Sequence, residues 1–417
     1  MQNKKNLLIK NLLIVTMDKN DILKGDLLIE NGIIKKIGKV GDHKNTRVIN
    51  GSNFIALPGL INAHFHFGET GFRAQLKRSS LEEYLRYTIT FNDNHKYPEA
   101  FRLASADAAA TESMLAGTTT FCASRNWDTA KKYGLRGIFC YPLMKTKKIA
   151  AFLKEIDKKL QKARKNESDL ITIGAFIHSL RYVDKNTLNK LKLLMLNGQI
   201  PLLTVHVGET KKEVEETIKI HGKPPVKVLE SYGLLTQKTL LVHCIHLTPS
   251  EKRLIVKRNA AVCLCPTSNL WLGEKLPDIN FFLENNSRLC LGTDGLATGS
   301  SASLLSTARI AGLVFNHPKL DSTKLLSLIT KDAAKCLSLK VGRIKEGFPA
   351  DIALFSKETI PAFNNKTLTP NIIFSALTQE VEAIVIHGNF ISKKSLLQTN
   401  GKNNQILNKV INKSFKG

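Results

Sequence analysis

The 417-residue sequence lacks any long hydrophobic run. No uncharged apolar stretch reaches the ~18 residues that a helix needs to cross a bilayer. The first residues, MQNKKNLLIKNLLIV, are basic and then apolar, but Lys10 and Asn11 interrupt the apolar part and no small-residue cleavage site follows. We therefore expect neither a membrane-spanning helix nor a secretory leader.

Cysteine is scarce as well. The seven cysteines are an odd number and lie mostly inside apolar runs, which is typical of reduced, packed thiols rather than of a disulfide framework. Cys263 and Cys265 have a spacing that occurs in metal motifs, although alternate positions of one buried strand are the preferred interpretation. The cysteine content thus indicates a cytoplasmic location.

Acidic residues are also few. Lysine and arginine together number 61 against 35 aspartates and glutamates, a formal net charge of +26, which suggests a nucleic-acid or anionic-surface partner. However, no run of lysine or arginine exceeds two residues, and no basic stretch is interleaved with aromatic residues. We interpret the charge as a compositional bias of a solvated surface. No nucleic-acid partner is expected, while help in capturing an anionic substrate stays open.

Between residues 58 and 340, apolar strand-like runs alternate with stretches of helical periodicity. The eight strand candidates are Leu60–Phe67, Thr118–Ala123, Gly137–Tyr141, Ile171–Ile177, Leu202–Val207, Leu240–Cys244, Ala261–Cys265 and Leu289–Thr293. Eight strands with helices between them, over a length close to the ~250 residues of a (β/α)8 barrel, predict that architecture. Active sites of such barrels lie at the carboxyl ends of the strands.

The first strand candidate ends in a His-x-His pair, His64 and His66. Because side chains alternate along a strand, both imidazoles are expected on the same side, and such a pair makes half of a metal site. Three later candidates lead into His206-Val207-Gly208-Glu209, His243-Cys244-Ile245-His246 and Gly292-Thr293-Asp294-Gly295. Four predicted strand ends therefore carry metal-ligand or acid–base residues.

Five motifs connect these positions with a known family: PGLINAHFH, TVHVGET, LVHCIHL, CPTSNLWLG and LGTDGLATGSSASLL. With them the sequence resembles the amidohydrolase superfamily, over about residues 7–392. The resemblance is to its mononuclear branch of cytosine, guanine and S-adenosylhomocysteine/methylthioadenosine deaminases, aminofutalosine deaminases and triazine hydrolases. It implies an α/β fold, a (β/α)8 TIM barrel with a small β-sandwich built from both chain ends. The expected divisions are 1–57 and 341–392 for the sandwich, 58–340 for the barrel and 393–417 for a polar tail.

The candidate metal ligands are His64, His66, His206 and Asp294. Three imidazoles and one carboxylate suit one divalent transition metal, with Zn2+ preferred and Fe2+ the alternative. The fourth strand candidate ends in His178, where dinuclear relatives need a carboxylated lysine to bridge two metals. A single metal is therefore favoured.

The resemblance also implies the acid–base groups. Glu209 matches a proton shuttle between water and the substrate ring, and His243 matches a histidine that orients or deprotonates that water. Asp294 can share this duty while it binds the metal. For Glu209, a charge that stabilises the N-terminus of the following helix is the alternative. His246 is interpreted as a buried histidine near the site rather than as a ligand.

Four residues are candidates for substrate binding. His178 matches a substrate-contacting histidine of several family members, and a structural histidine at a strand end is equally compatible. Glu69 and Arg73 follow the His-x-His pair and are expected to line the mouth of the site. Trp271 is expected either to stack on a planar base or to anchor a loop.

These features imply a metal-dependent hydrolytic deaminase, a hydrolase that acts on carbon–nitrogen bonds other than peptide bonds. Water activated by the metal would attack a ring carbon of a purine, pyrimidine, pterin or nucleoside derivative and release ammonia. The alternative is cyclic-amide or C–Cl hydrolysis on the same scaffold, as in imidazolonepropionase-like or triazine hydrolases. A different class, an inactive scaffold or a nucleic-acid-binding protein, is disfavoured because the ligand set, Glu209 and His243 are all present. A homo-oligomer is compatible with these features.

Overall fold

The computed structural model describes residues 6–19, 22–41, 43–73, 75, 79–95, 99–143, 149–299, 301–377 and 380–414. Two sheets organise this part of the chain. In chain order the strands are β1 (Asn6–Val15), β2 (Ile22–Glu30), β3 (Ile33–Gly38), β4 (Thr46–Asn50), β5 (Phe54–Pro58), β6 (Leu60–His66), β7 (Thr118–Ser124), β8 (Arg136–Leu143), β9 (Ile171–Ile177), β10 (Leu203–Val207), β11 (Thr239–His243), β12 (Ala261–Leu264), β13 (Arg288–Leu291), β14 (Asp294–Gly295), β15 (Ile352–Ser356), β16 (Ala383–Ile386) and β17 (Asn389–Ser392).

Most helices lie between the strands of the sheet formed by β6 to β14. The α-helices span Leu81–His95, Glu99–Leu115, Trp127–Tyr133, Ile149–Arg164, Lys185–Leu196, Lys211–His221, Pro225–Ser231, Pro249–Lys257, Pro266–Trp271, Ile279–Glu284, Leu296–Gly299, Leu304–Phe315, Ser322–Leu328, Lys331–Cys336, Leu368–Pro370 and Lys393–Ser414. Shorter 3-10 segments cover Phe67–Phe72, Leu180–Tyr182 and Lys357–Thr359, and a π-helical segment covers Asn371–Ser375.

The nine strands β6 to β14 form the barrel. They are parallel neighbours in chain order from β6 to β13, and β14, which follows β13 closely in the chain, pairs with β6. All eight predicted strands are present. Strands β6 to β12 are each followed by helical structure before the next strand begins, whereas β13 leads into β14 without a helix. The predicted TIM barrel is confirmed, and it places the carboxyl ends of its strands around one opening.

The two ends of the barrel sheet are joined by hydrogen bonds between the Asn62 side chain and Thr293. The Asn62 amide nitrogen donates to the Thr293 hydroxyl at 2.7 Å, and the Thr293 backbone N–H donates to Asn62 Oδ1 at 3.1 Å. Next to this pair, a Cβ on Gly292 would lie 2.8 Å from the Cβ of His64, so only glycine fits. The two ends of the barrel sheet are thereby joined beside the His-x-His pair.

The chain ends together form the other sheet. Its strand order is β17-β16-β15-β5-β1-β2-β3, with β4 paired to β1. Strand β5 leads directly into β6 through Gly59, so the sheet is joined to the barrel at the strand that carries the His-x-His pair. The additional sheet from both chain ends is as predicted, while the domain boundaries after residues 57, 340 and 392 stay predictions.

Most of the cysteines pack as small apolar side chains within the barrel. Six of the seven cysteines belong to one buried cluster with residues such as Ala63 and Val242, and all seven are free. Cys263 and Cys265 both lie in this cluster, and burial raises the pKa of each. Neither belongs to a candidate metal group of the described residues, in agreement with the interpretation as alternate positions of a buried strand.

The expected polar tail contains a long helix, Lys393–Ser414, that packs on the helix Glu99–Leu115. Its Asn403 amide is buried and donates to the Asp107 carbonyl at 3.0 Å and to the Tyr133 hydroxyl at 2.9 Å. These contacts tie the end of the described chain to the flank of the barrel. In the part of the chain that the structure describes, no helix has both the length and the hydrophobicity to cross a membrane.

Candidate metal and catalytic site

Four potential ligand atoms converge at the carboxyl ends of the barrel strands. The Nε2 atoms of His64 and His206 are 2.9 Å apart, and Asp294 Oδ1 lies 3.3 Å from Nε2 of both His64 and His66. One ligand atom from each of these four residues lies within 4.8 Å of all the others. Strands β6, β10 and β14 supply this group, so residues far apart in the chain meet at one point.

The protonation states of this group suit metal binding. Burial lowers the pKa of His64 to about 4 and also lowers the pKa of His66, so both imidazoles are neutral at pH 7 and keep a lone pair. Burial raises the pKa of the Asp294 carboxyl, but the neighbouring imidazoles of His64 and His66 outweigh this effect and hold the pKa below its usual range. Three neutral imidazoles and a carboxylate fit a divalent metal.

The backbone is unusual where β11 ends and where β14 begins. His243 (φ 70°), Cys244 (φ 55°) and Asp294 (φ 62°) all lie in the left-handed region that non-glycine residues rarely adopt. The Cys244 backbone N–H donates to the Val207 carbonyl at 3.0 Å, which holds this turn against the neighbouring strand. Such strain persists only where surrounding contacts over-determine it, and it concentrates at functional sites.

Glu209 lies between two histidines. Its carboxylate oxygens are 3.6 Å from Nδ1 of His206 and 3.5 Å from Nε2 of His243. These distances are slightly longer than hydrogen bonds, and catalytic hydrogen bonds are often this long before a substrate binds. The side chain is 5% exposed, and burial raises its pKa to about 7 despite the opposing effect of His243. A carboxyl group with this pKa can both take up and release a proton near neutral pH.

Two adjacent residues hold the neighbouring acid–base groups. The Ser268 hydroxyl donates to Asp294 Oδ2 at 2.7 Å, and Nδ1 of His243 lies 2.9 Å from Asn269 Oδ1. Ser268 and Asn269 are fully buried at the beginning of the helix Pro266–Trp271. Sequence reasoning assigned them no role, although they lie within the motif CPTSNLWLG.

A cavity of about 310 Å³ opens above the converging ligands. Its polar lining consists of His66, Glu69, Tyr84, Thr88, Arg102, Ser124, Arg125, Asn126, His178, His206, Glu209, Asp294 and Thr298. Its apolar lining includes Phe67, Phe72, Leu81, Leu85, Pro142, Phe176 and Leu272. The volume is in the range of small-molecule sites, and three of the four proposed metal ligands, His66, His206 and Asp294, lie at its surface together with Glu209.

A family model for the amidohydrolase family matches residues 55–391. The chain belongs to the amidohydrolase family. The 5-methylthioadenosine/S-adenosylhomocysteine deaminase of Pyrococcus furiosus is 30% identical over 404 residues, which is 92% of this chain and 94% of the relative. The 5'-deoxyadenosine deaminase of Methanosphaera stadtmanae is 26% identical, over 92% of this chain and 93% of the relative. The crystal structure of an atrazine chlorohydrolase from Arthrobacter aurescens, complexed with zinc, has a TM-score of 0.87 at 21% identity and covers 96% of this chain and 100% of its own.

Two predicted substrate contacts of this amidohydrolase lie in the cavity wall. Burial lowers the pKa of His178 to about 3, and its Nδ1 is buried with no hydrogen-bond partner among the described residues. Glu69 accepts a hydrogen bond from the Tyr84 hydroxyl at 2.8 Å, and burial raises its pKa to about 8. Both side chains therefore offer polar atoms to a bound molecule.

The other two predicted contacts are not among the residues that line this cavity. The Arg73 guanidinium is instead paired with Glu112 at 2.9 and 3.1 Å, so its charge is satisfied on the helix Glu99–Leu115. Trp271 packs, partly buried, against the apolar cluster that contains Phe72, which corresponds to the alternative of a loop anchor. Arg102, Arg125 and Asn126 also line the wall, from segments without a recognisable motif.

Proposed function

We propose that this amidohydrolase is a metal-dependent hydrolytic deaminase of an adenine nucleoside that is modified at its 5' position. The observation that carries the proposal is the convergence of His64, His66, His206 and Asp294 beside Glu209 at the base of a small-molecule cavity. The full-length relatives named above support the substrate class, since both are named as deaminases of 5'-substituted adenine nucleosides.

We assign a single zinc ion to His64, His66, His206 and Asp294. The donor set of three nitrogens and one oxygen supports zinc, with Fe2+ as the alternative, and zinc is present in the chlorohydrolase structure. The bound metal would supply Lewis-acid activation of the attacking water. Strand β9 ends at Ile177 and is followed by His178, so this strand end provides no lysine for a second metal.

Glu209 and His243 are assigned the proton transfers. Nε2 of His243 accepts the proton of the attacking water, and Glu209 delivers a proton to the ring nitrogen next to the carbon under attack. The separation of 3.5 Å between these two side chains supports transfer from one to the other. With the proton received from His243, Glu209 then protonates the amino group, which leaves as ammonia. The new hydroxyl group loses its proton to Nε2 of His243 and becomes the carbonyl of the product, and this proton returns to Glu209 to restore its protonated form.

His178 and Glu69 are assigned to substrate binding. The free Nδ1 of His178 can hydrogen bond with the heterocycle, and the Glu69 carboxyl is suited to bind a hydroxyl group of the sugar. Apolar side chains such as Phe72 and Leu272 supply the surface for the remaining parts of the molecule. We also infer a cytoplasmic location from the seven buried free thiols.

A substrate panel tests the proposal. Metal-loaded protein is incubated with 5'-methylthioadenosine, S-adenosylhomocysteine, 5'-deoxyadenosine, guanine, cytosine and atrazine, and ammonia and chloride are both measured. We expect ammonia from at least one adenine nucleoside and none from the same reaction with His64→Ala protein. Chloride release from atrazine, or ring opening without ammonia, would support the alternative hydrolase instead.

A further inference from the structure

Two hydrogen bonds connect one short segment to two reactive side chains. Asn269 Oδ1 contacts Nδ1 of His243 at 2.9 Å, and the neighbouring Ser268 hydroxyl donates to Asp294 Oδ2 at 2.7 Å. Ser268 and Asn269 have no solvent exposure, and the segment follows β12 directly at the carboxyl end of the barrel. The segment therefore contacts two residues of the site without lining the cavity itself.

The Asn269 contact determines which nitrogen of His243 carries a proton. A carbonyl oxygen only accepts hydrogen bonds, so Nδ1 of His243 must hold the hydrogen that points to Asn269. In a neutral imidazole, Nε2 then has a free lone pair. Nε2 is buried without a hydrogen-bond partner among the described residues, and Glu209 Oε1 lies 3.5 Å away. The tautomer is thus the one that can accept a proton on the side of the reaction.

We infer that Asn269 is a positioning residue that fixes His243 in the tautomer with its proton on Nδ1, so that Nε2 can act as the base. Ser268 acts in parallel on Asp294, because its hydrogen bond occupies Oδ2 and leaves Oδ1 to meet His64 and His66. The inference about catalysis rests on the role of His243 in the proposed function.

Packing alone does not explain an asparagine at this position. The Asn269 Nδ2 group is buried and has no hydrogen-bond partner in the part of the chain that the structure describes. A buried, unsatisfied amide opposes folding, and leucine has a similar size without that cost. The position nevertheless carries an asparagine, and its Oδ1 has one partner among the described residues, Nδ1 of His243.

Nitrogen-15 NMR of histidine tests the tautomer without any substrate. The eleven histidines are labelled, and the signals of His243 are assigned by their loss in His243→Gln. In the wild-type protein we expect a protonated Nδ1 and an unprotonated Nε2. In Asn269→Leu the Nε2-protonated tautomer should gain population. A wild-type His243 with its proton on Nε2 would overturn the inference, whether or not the protein deaminates any nucleoside.

Kinetics test the consequence for catalysis, with whichever substrate the wild-type protein converts. Asn269→Leu is expected to lower kcat about 10–100-fold, by analogy with the loss of the hydrogen-bond partner of a metal-bound histidine, while KM and metal content change little. Asn269→Asp keeps an acceptor and should recover most of that loss. Its negative charge stabilises the His243 imidazolium, so the acidic limb of the kcat–pH profile should move to higher pH.

Asn403→Leu provides the matched control, since Asn403 is a buried asparagine with hydrogen bonds outside the site. It should lower the melting temperature and leave kcat unchanged. Folded Asn269→Leu protein with kcat within threefold of wild type would contradict the catalytic part of the inference. Absence of ammonia from every nucleoside would instead contradict the proposed function, and the tautomer measurement would still decide the role of Asn269.

Discussion

The Nε2 atoms of His64 and His206 lie 2.9 Å apart, although their strands are separated by three others in the barrel sheet. Burial lowers the pKa of His64 to about 4 and that of His206 well below its ordinary value. Two neutral imidazoles can share only one hydrogen between facing nitrogens, and Asp294 brings a negative charge to the same point. A bound cation satisfies all of these groups at once, so the pair is best explained as part of a metal site.

Metal content should follow this geometry. We expect about one divalent metal per chain by elemental analysis, and His64→Ala should lose it because one of four ligands is removed. His246→Ala is the control, since His246 contacts Glu274 at 3.1 Å and lies outside the ligand group; it should retain the metal. Two metals per chain, or none after supplementation with zinc and iron, would contradict the assignment.

Glu209→Gln should abolish proton transfer without loss of metal. Glutamine keeps the shape and polarity of the side chain but cannot take up and deliver the proton. General acid–base groups contribute about 10²–10⁴-fold in rate, so kcat should fall by at least this factor. If Glu209 only stabilises the helix Lys211–His221, turnover should stay within a few-fold of wild type and stability should fall slightly.

The same substitution should raise the stability of metal-free protein at neutral pH. Burial raises the folded-state pKa of Glu209 from 4.5 to about 7. The stability associated with the protonated carboxyl is present below pH 4.5 and is lost as the pH rises through 7. A shift of this size corresponds to about 3 kcal/mol at most.

Urea unfolding of metal-free wild type and Glu209→Gln at acidic and mildly alkaline pH measures this effect. The stability difference in favour of Glu209→Gln should be small in acid and should grow as the pH rises. Metal-free protein is required because a bound cation favours the carboxylate. A difference that is independent of pH would show that the carboxyl is not held in an unfavourable environment.

Arg181 should affect substrate affinity through the cavity wall. Its side chain is 4% exposed and its Nη1 contacts Glu82 at 3.0 Å and Glu216 at 2.7 Å. It thereby joins the helix Leu81–His95, which contributes cavity residues, to the helix that follows Glu209. Arg181→Met should lower the free energy of unfolding by on the order of 2 kcal/mol. This is less than the ~3–5 kcal/mol lost when a fully buried ion pair is broken, because Glu82 and Glu216 are 29% and 39% exposed.

The kinetic signature of Arg181→Met should be a raised KM with a smaller change in kcat, because the wall moves while the ligand group stays in place. Arg258→Met is the matched control, since Arg258 is 49% exposed and pairs with Glu230, and neither residue lines the cavity. Equal kinetic effects of both substitutions would argue against a specific role of Arg181.

The barrel and its ligand group could be predicted because both depend on short-range patterns. Strand periodicity fixes where each strand ends, and parallel strands bring those ends together. His64, His66, His206 and Asp294 therefore meet as the spacing suggests, even though β6 has register shifts against β7. The TIM barrel follows from the same alternation of strands and helices.

The cavity wall could not be predicted in the same way, because it depends on partners far apart in the chain. Nothing near Arg73 indicates that its guanidinium pairs with Glu112, 39 residues later. Arg125 and Asn126, directly after β7, both have a left-handed backbone conformation, and no local motif predicts that they line the wall. The last helix, Lys393–Ser414, is held against the barrel by hydrogen bonds of Asn403 to residues nearly 300 positions away.

Isotope labelling of the product shows whether this ligand group supports hydrolytic deamination. The metal-loaded protein is incubated with the best adenine nucleoside in 18O-water, and the product is analysed by mass spectrometry together with ammonia. We predict one 18O atom in each 6-oxo product and one ammonia per turnover, and loss of both with His64→Ala and Glu209→Gln. Product without solvent oxygen, or turnover unchanged in both variants, would contradict hydrolytic deamination at this site.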